Sequence, residues 1–317
     1  MKYYFILNPA SGSKSHKNDA LYEIRDAARK YDLDYDVYFT KAAGDARSFV
    51  RQICQNNEAS PQPQQLRFIG WGGDGTLHEL VNGAFGYDHT EIGIIPYGTG
   101  NDYVRNYGDP GDFMSLESQI LGQSRPSDLI RYETEYDGAV TEGLCVNMFN
   151  IGFDCNVVDM TDRVKALPLM GGSAAYLASI FITLAAKRET DLKIEYGDGS
   201  VRNGKVLLAS VANGCFCGGG IKGVPRASLR DGLMDVSVVK SGVTRRFFVR
   251  LFPKYQKGIH LSDPEIKRVI DYRQQKTLTI TANDESLRLC VDGEISTQKR
   301  VTFSVIQDAF RFIVPAL

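Results

Sequence analysis

Four short apolar runs, at residues 3–7, 35–39, 66–69 and 92–95, alternate with helical patterns at 20–30, 45–54 and 77–84. Nothing else in the 317-residue chain constrains its fold as much. Strands separated by helices run parallel through right-handed crossovers, which predicts an α/β domain. Residues 55–65 place two prolines among polar residues and read as a surface loop. After residue 127 the pattern changes. Beyond a helical pattern at 174–187, strand-like runs at 192–196, 205–212, 234–239, 277–281, 287–291 and 301–305 are broken by Gly, Asn and Asp turns. That series predicts a mostly antiparallel sandwich or barrel, the sandwich foremost. Two domains are expected, an α/β domain over 1–127 and a β-rich domain over 128–304, with the last apolar stretch in 305–317 returning to the first.

In an open parallel sheet, ligands bind beyond the carboxyl ends of the strands. The loops that follow the four runs are Asn8-Pro9-Ala10-Ser11-Gly12-Ser13, Thr40-Lys41, Gly70-Trp71-Gly72-Gly73-Asp74-Gly75-Thr76 and Pro96-Tyr97-Gly98-Thr99-Gly100-Asn101-Asp102. Glycines let backbone N–H groups approach phosphate oxygens, and a helix starting near Leu77 turns its positive end to the same place. Any one of these loops could use its glycines only to turn; four on one edge describe a polyphosphate site. Asp74 sits within the glycine turn. A carboxylate there would repel a triphosphate unless a divalent cation lay between them, so it reads as a partner of Mg²⁺, or more simply as an aspartate stabilising its own turn. Gly70, Gly72 and Gly75 also satisfy G-x-G-x-x-G. That fingerprint belongs on a first strand, with an acid at the end of the next one. Here it follows the third run, Glu91 precedes the fourth, and no Walker lysine follows Gly75.

Asn8-Pro9-x-Ser11-Gly12, Gly72-Gly73-Asp74-Gly75-Thr76 and Pro96-x-Gly98-Thr99-Gly100-Asn101-Asp102 resemble the three nucleotide-site motifs of the diacylglycerol kinase catalytic-domain family, which includes bacterial lipid kinases and sphingosine kinases. Asn213-Gly214, Gly218-Gly219-Gly220, Pro225-x-Ala227, Asp231-Gly232-Leu233-x-Asp235 and Asp292-Gly293-Glu294 extend the resemblance through the second half. It implies an N-terminal domain of the NAD-kinase and phosphofructokinase kind, an ATP site in the interdomain cleft, and phosphoryl transfer to a lipid hydroxyl, foremost diacylglycerol to phosphatidic acid. A sphingoid base or other lipid alcohol, an NAD kinase, and a nucleotide-binding regulator without turnover stand as alternatives. By motif, Asn8, Pro9, Ser11, Gly12, Thr40, Gly72, Gly73, Asp74, Gly75, Thr76, Thr99, Asn101 and Asp102 would form the ATP site, with Asp74 and Asp102 serving the catalytic Mg²⁺. A structural Mg²⁺ would take the Asp231 side chain and the carbonyls of Ser228 and Leu233, with Asp128 linked through water. Glu294 matches the general base, although Val291-Asp292-Gly293-Glu294 on its own reads as a hairpin turn. Arg226 stands where family members often carry a polar or acidic residue, and residues 154–172 are not diagnostic of the lipid.

Charge bears on partners. Lys and Arg number 37 against 38 Asp and Glu, a net of -1, which argues against nucleic acid as a partner. Yet residues 244–260 contain Arg245, Arg246, Arg250, Lys254 and Lys257 and no acid. At about 100° per residue, Phe248, Leu251, Phe252, Tyr255 and Ile259 share one face with most of the cations opposite. Two readings fit: an interfacial helix touching anionic membrane, or an amphipathic helix packed on the β-domain. Pro253 would kink or end it. The longest apolar run, 174–186, falls short of the roughly 20 residues that span a bilayer, and no signal-peptide pattern opens the chain. The expected location is the cytoplasm, with transient visits to the inner face of the membrane; a homodimer is left open. Six scattered cysteines suggest neither a zinc site nor a disulfide framework.

Overall fold

The computed structural model describes residues 1–11, 16–152 and 189–316. Gly12, Cys155, the segment 154–172 and the helix expected at 174–187 lie outside the described residues. The chain divides into two compact units, Met1–Asp128 with Gln307–Leu317, and Leu129–Ile306.

In the first unit, β1 (Lys2–Leu7), β2 (Asp34–Phe39), β3 (Leu66–Gly72) and β4 (Thr90–Pro96) are parallel in the order β2-β1-β3-β4. The end of the C-terminal strand β15 (Arg300–Val314) lies parallel beside β4, with Phe312 opposite Ile92. Both β3 and β4 are buried along their whole length, as central parallel strands covered on two faces must be. Alternation along β1 sends Tyr3, Phe5 and Leu7 to one face. There they meet Ala20, Ile24 and Ala27, the apolar stripe of α1 (His16–Tyr31). Tyr4 points the other way, its ring 5.3 Å from Phe68 and 6.1 Å from Phe49 of α2 (Asp45–Glu58). Two further helices, α3 (Asp74–Ala84) and α4 (Leu116–Leu121), complete the layers.

Glu91 lies inside β4. Arg67 Nε and Nη2 donate to its Oε2 at 2.8 and 2.6 Å, and Ser124 Oγ donates to its Oε1 at 2.6 Å. A third bond runs from Arg67 Nη1 to the Ile120 carbonyl at 2.6 Å. The acid that a dinucleotide fold would place on a ribose is here a buried strand-to-strand brace.

The second unit is antiparallel. Its strands are β5 (Gln123–Tyr136), which begins in the first unit, β6 (Ala139–Cys145), β7 (Met148–Gly152), β8 (Thr190–Tyr196), β9 (Val201–Ala212), β10 (Met234–Lys240), β11 (Ile270–Gln275), β12 (Thr277–Ala282), β13 (Leu287–Val291), β14 (Glu294–Gln298) and the start of β15. They run in the order β14-β13-β7-β9-β8-β12-β15; β10 branches from β9 to β11, and β5 pairs with β6. Phe149, Ile194, Val236, Val238, Ile280, Leu289 and Phe303 are among the side chains that fill the core.

The basic segment forms α5 (Arg245–Gln256), N-capped by Thr244, whose side-chain oxygen accepts from Phe247 N at 3.2 Å. Phe248 and Leu251 are buried against Leu207, Leu208, Val239, Leu261, Ile266 and Ile270. The apolar face therefore packs on the sheet. Ile259 does not share that face and is 52% exposed. The helix has ended by then, and Gly258 turns the chain at φ 71°, so helical periodicity no longer applies. Pro253 sits in the last turn without ending the helix. No described helix is long and apolar enough to cross a membrane.

Candidate active site

Because β1 to β4 are parallel, their carboxyl ends share one edge, and the ladder continues into the loops. Asn8 N donates to the Trp71 carbonyl at 3.0 Å, Tyr97 N to Gly72 at 2.9 Å, and Thr40 N to Leu7 at 3.0 Å. The four loops are thereby held in register. Asn8 Nδ2 also donates to Thr76 Oγ1 at 3.2 Å, while its Oδ1 accepts from Ala10 N at 3.0 Å.

Asp74 is not in a turn, as the sequence suggested. It is the first residue of α3, which starts three residues earlier than expected, with Gly73 as an extended N-cap lacking a side-chain bond. A carboxylate in the first turn is favoured by the helix dipole, and this offsets the poor helix propensity of Gly75. The glycines do different things. A Cβ on Gly98 would lie 2.4 Å from Gly73 Cα, and one on Gly72 would lie 2.1 Å from Thr76 Oγ1, so those backbones are in contact packing. A Cβ on Gly75 would meet nothing within 4 Å. Gly75 faces a cavity of about 460 Å³ lined also by Asn8, Pro9, Ser11, Thr40, Lys41, Gly73, Thr76, Glu79 and Gly98.

Beside this cavity two carboxylates converge. A Cβ on Gly100 would lie 2.8 Å from Asp74 Oδ2 and 3.2 Å from Asp102 Oδ2. Asp74 Oδ1 accepts from Tyr103 N at 3.3 Å, and Arg105 Nε lies 3.9 Å from Asp102 Oδ1. Hard oxygen donors at one glycine, next to an anion cradle at a helix N-terminus, fit a Mg²⁺–polyphosphate pair. Thr99 is exposed, and neither it, Asn101 nor Asp102 lines the cavity. The Asn101 side chain ties its own loop: Nδ2 donates to the carbonyls of Pro96 (3.1 Å) and Gly98 (2.8 Å), and Oδ1 accepts from Gly98 N at 3.1 Å. Asp128 is buried in this same unit, accepting from Asp308 N at 2.9 Å. Its neighbour Ser127 bonds the Tyr103 hydroxyl at 2.8 Å, so Tyr103 connects the Asp74 and Asp128 regions.

In the second unit, Asp292 and Gly293 have φ of 46° and 101°, the left-handed pair that a two-residue hairpin needs. The Asp292 carboxylate accepts from Val146 N (2.8 Å), Asn147 N (3.0 Å) and Met148 N (3.0 Å). This braces the turn and leaves Glu294 exposed at the start of β14. Asp231 belongs to this unit too. Its Oδ1 accepts from Leu233 N at 3.1 Å, and Gln274 Nε2 lies 3.3 Å from both Asp231 Oδ2 and Asp235 Oδ2. Asp235 is fully buried and its Oδ1 has no donor; burial raises its pKa, while bonds from Tyr272 and Gln274 oppose the rise. Arg226 is close by, its backbone N donating to the Tyr272 hydroxyl at 3.2 Å. An orphaned carboxylate oxygen on Asp235, four residues after Asp231 and joined to it through Gln274 Nε2, fits a cation or its water there. Among the described residues no three His, Cys, Asp or Glu side chains cluster as a metal site, so an ion at Asp231 would rely on backbone carbonyls.

Three residues important to this geometry belong to none of the quoted motifs, while Asp292, within a quoted one, adds a brace that the hairpin reading did not announce. Tyr103 acts through its backbone N and hydroxyl, and Gln274 joins two carboxylates. Glu79 accepts from Gly44 N and Ala46 N at 2.8 and 3.0 Å, supplying the cap that α2 lacks. Only the last had a hint, since Gly44 offers no side chain to cap a helix.

A parallel α/β unit with a glycine cradle at a helix N-terminus, followed by this sandwich, defines the class of nucleotide-using kinases. Residues 2–132 match the diacylglycerol kinase catalytic domain, and residues 147–314 match the YegS C-terminal NAD kinase beta sandwich-like domain. The chain belongs to the diacylglycerol kinase family. The diacylglycerol kinase of Staphylococcus aureus (strain bovine RF122 / ET3-1) is 30% identical over 295 residues, 91% of this chain and 84% of the relative. That of Bacillus subtilis (strain 168) is 29% identical over 293 residues, 91% and 88% of the two chains. Two solved structures share the fold: a diacylglycerol kinase from Bacillus anthracis str. Sterne (TM-score 0.69, 22% identity, 98% of this chain and 96% of that one) and yeast NADH kinase complexed with NADH (TM-score 0.55, 10% identity, 100% and 84%).

Proposed function

We propose that this protein is an ATP- and Mg²⁺-dependent lipid kinase that transfers the γ-phosphoryl group to the hydroxyl of diacylglycerol, giving phosphatidic acid. The observation that carries this reading is the cavity at the start of α3, where Gly75 faces open space and two carboxylates converge on Gly100. Backbone N–H groups of Gly73 and Gly75, with Asn8, Ser11, Thr40 and Thr76, bind the phosphates. Asp74 and Asp102 would hold the Mg²⁺. When bound, that ion would neutralise charge developing on the phosphates.

Glu294 takes the proton of the lipid hydroxyl as its oxygen attacks the γ-phosphorus. The new P–O bond forms, the bond to the β-phosphate oxygen breaks, and ADP leaves. General-base help of this kind is worth about 10²–10⁴ in rate, and positioning and electrostatics supply the rest. Asp231, with the carbonyls of Ser228 and Leu233, would hold a second, structural Mg²⁺. In the decisive variant, Glu294→Gln, turnover should fall by about 10²-fold or more while ATP binds as in the wild type. Wild-type turnover in that variant would remove Glu294 from the mechanism.

A further inference from the structure

We propose that the outward face of α5, with the segment after it, docks on the anionic headgroups of a bilayer; this deepens the lipid-kinase reading and rests on it. Residues 240–268 carry eight Lys or Arg and two acids, in a chain whose net charge is -1. The structure shows how these charges are arranged. The inward face of α5 is committed to the core through Phe248 and Leu251. Arg246, Val249, Arg250, Pro253, Gln256 and Lys257, spaced three and four apart, are all exposed. The two acids, Asp263 and Glu265, pair with Lys254 and Arg250, so residues 240–268 keep a net charge of +6, and Glu189, which accepts from Gly242 N at 3.0 Å, adjoins the start of the segment. Lys267 and Arg268 add exposed cations beside them.

Among these cations stand two large apolar side chains, Val249 at 53% and Ile259 at 52% exposure. The combination of basic ring and apolar tips is the composition that settles at a headgroup boundary, where cations meet lipid phosphate and the tips enter the acyl edge. Charge complementarity selects the occupant. The acceptor of the proposed reaction resides in a bilayer, which is the surface these charges complement. Each basic residue brought to an anionic bilayer strengthens binding about fivefold.

The test sediments the full-length protein with vesicles of phosphatidylcholine alone and of phosphatidylcholine mixed with phosphatidylglycerol. The wild type should bind the anionic vesicles about tenfold or more tightly than the neutral ones, and lose that preference as salt rises. Arg246→Glu with Lys257→Glu should weaken anionic binding at least about tenfold, and Val249→Asp should weaken it as well. Lys205→Glu, an exposed reversal elsewhere in the same unit, should change it by less than about twofold. Turnover of a short-chain diacylglycerol kept below its aggregation threshold should match the wild type in every variant. Equal binding of both vesicles by the wild type, or unchanged binding by the double variant, would overturn the proposal. So would an equal loss in Lys205→Glu. If vesicle binding behaves as expected but no lipid alcohol is phosphorylated, the docking face stands and the kinase reading falls.

Discussion

Gly75 and Gly98 do opposite jobs at the same site, and substitution separates them. A methyl at Gly98 would press on the Gly73 backbone, so Gly98→Ala should cost about 1–3 kcal/mol and lower Tm. Gly75 is helical and open. Gly75→Ala should leave stability unchanged or raise it by up to about 1 kcal/mol, while ATP affinity measured with a fluorescent analogue falls. A stable variant with undiminished affinity would remove Gly75 from the cradle. His260 tests packing by pH. It is fully buried against the Tyr255 ring, 4.7 Å between centroids, and burial pushes its pKa down to about 4. The unfolded chain takes up that proton near pH 6.5 and the folded chain refuses it. Stability is therefore whole above pH 6.5 and declines as pH falls toward 4, by about 2 kcal/mol between about pH 7 and 5. Urea unfolding of His260→Gln should show a correspondingly shallower decline; an equal decline would place the titration elsewhere. At this scale the glycine motifs were legible because their chemistry is local. Tyr103 and Gln274 were not, because each acts on a group far away in sequence.

Legibility at the scale of elements followed periodicity. Strands β1, β3, β4, β8 and β10, buried or alternating, were visible, whereas β6, β11 and β14 are polar or half-exposed and carry little apolar signal. Two boundaries were misplaced for physical reasons. Asp74 looked like turn chemistry but opens α3, and Ile259 was extrapolated along a helix that had already ended. The packing of α5 has a direct consequence: Leu251→Ala should cost about 2–5 kcal/mol, while Val249→Ala on the outward face should stay within about 0.5 kcal/mol. Equal effects in urea unfolding would deny that the buried face is the one described. The Asp231 turn before β10 makes a separate claim. Mg²⁺ should raise the wild-type Tm, and Asp231→Ala should lose that response. A variant that still responds would rule out the structural-ion assignment.

For the molecule as a whole, composition proved less informative than distribution. A net charge of -1 conceals a basic segment whose apolar side is buried and whose cations face outward. The α/β character of the first unit and the antiparallel sandwich of the second were legible because parallel and antiparallel sheets leave different patterns. The continuity of β5 and β15 through both units was not, since a long strand that changes environment midway has no single period. Function rests on which hydroxyl receives phosphate, and one assay decides it. Radiolabelled ATP and Mg²⁺ are offered mixed micelles of diacylglycerol, sphingosine and polyprenol, with NAD in a parallel tube. Label should appear in phosphatidic acid; label found only in NADP would contradict the account.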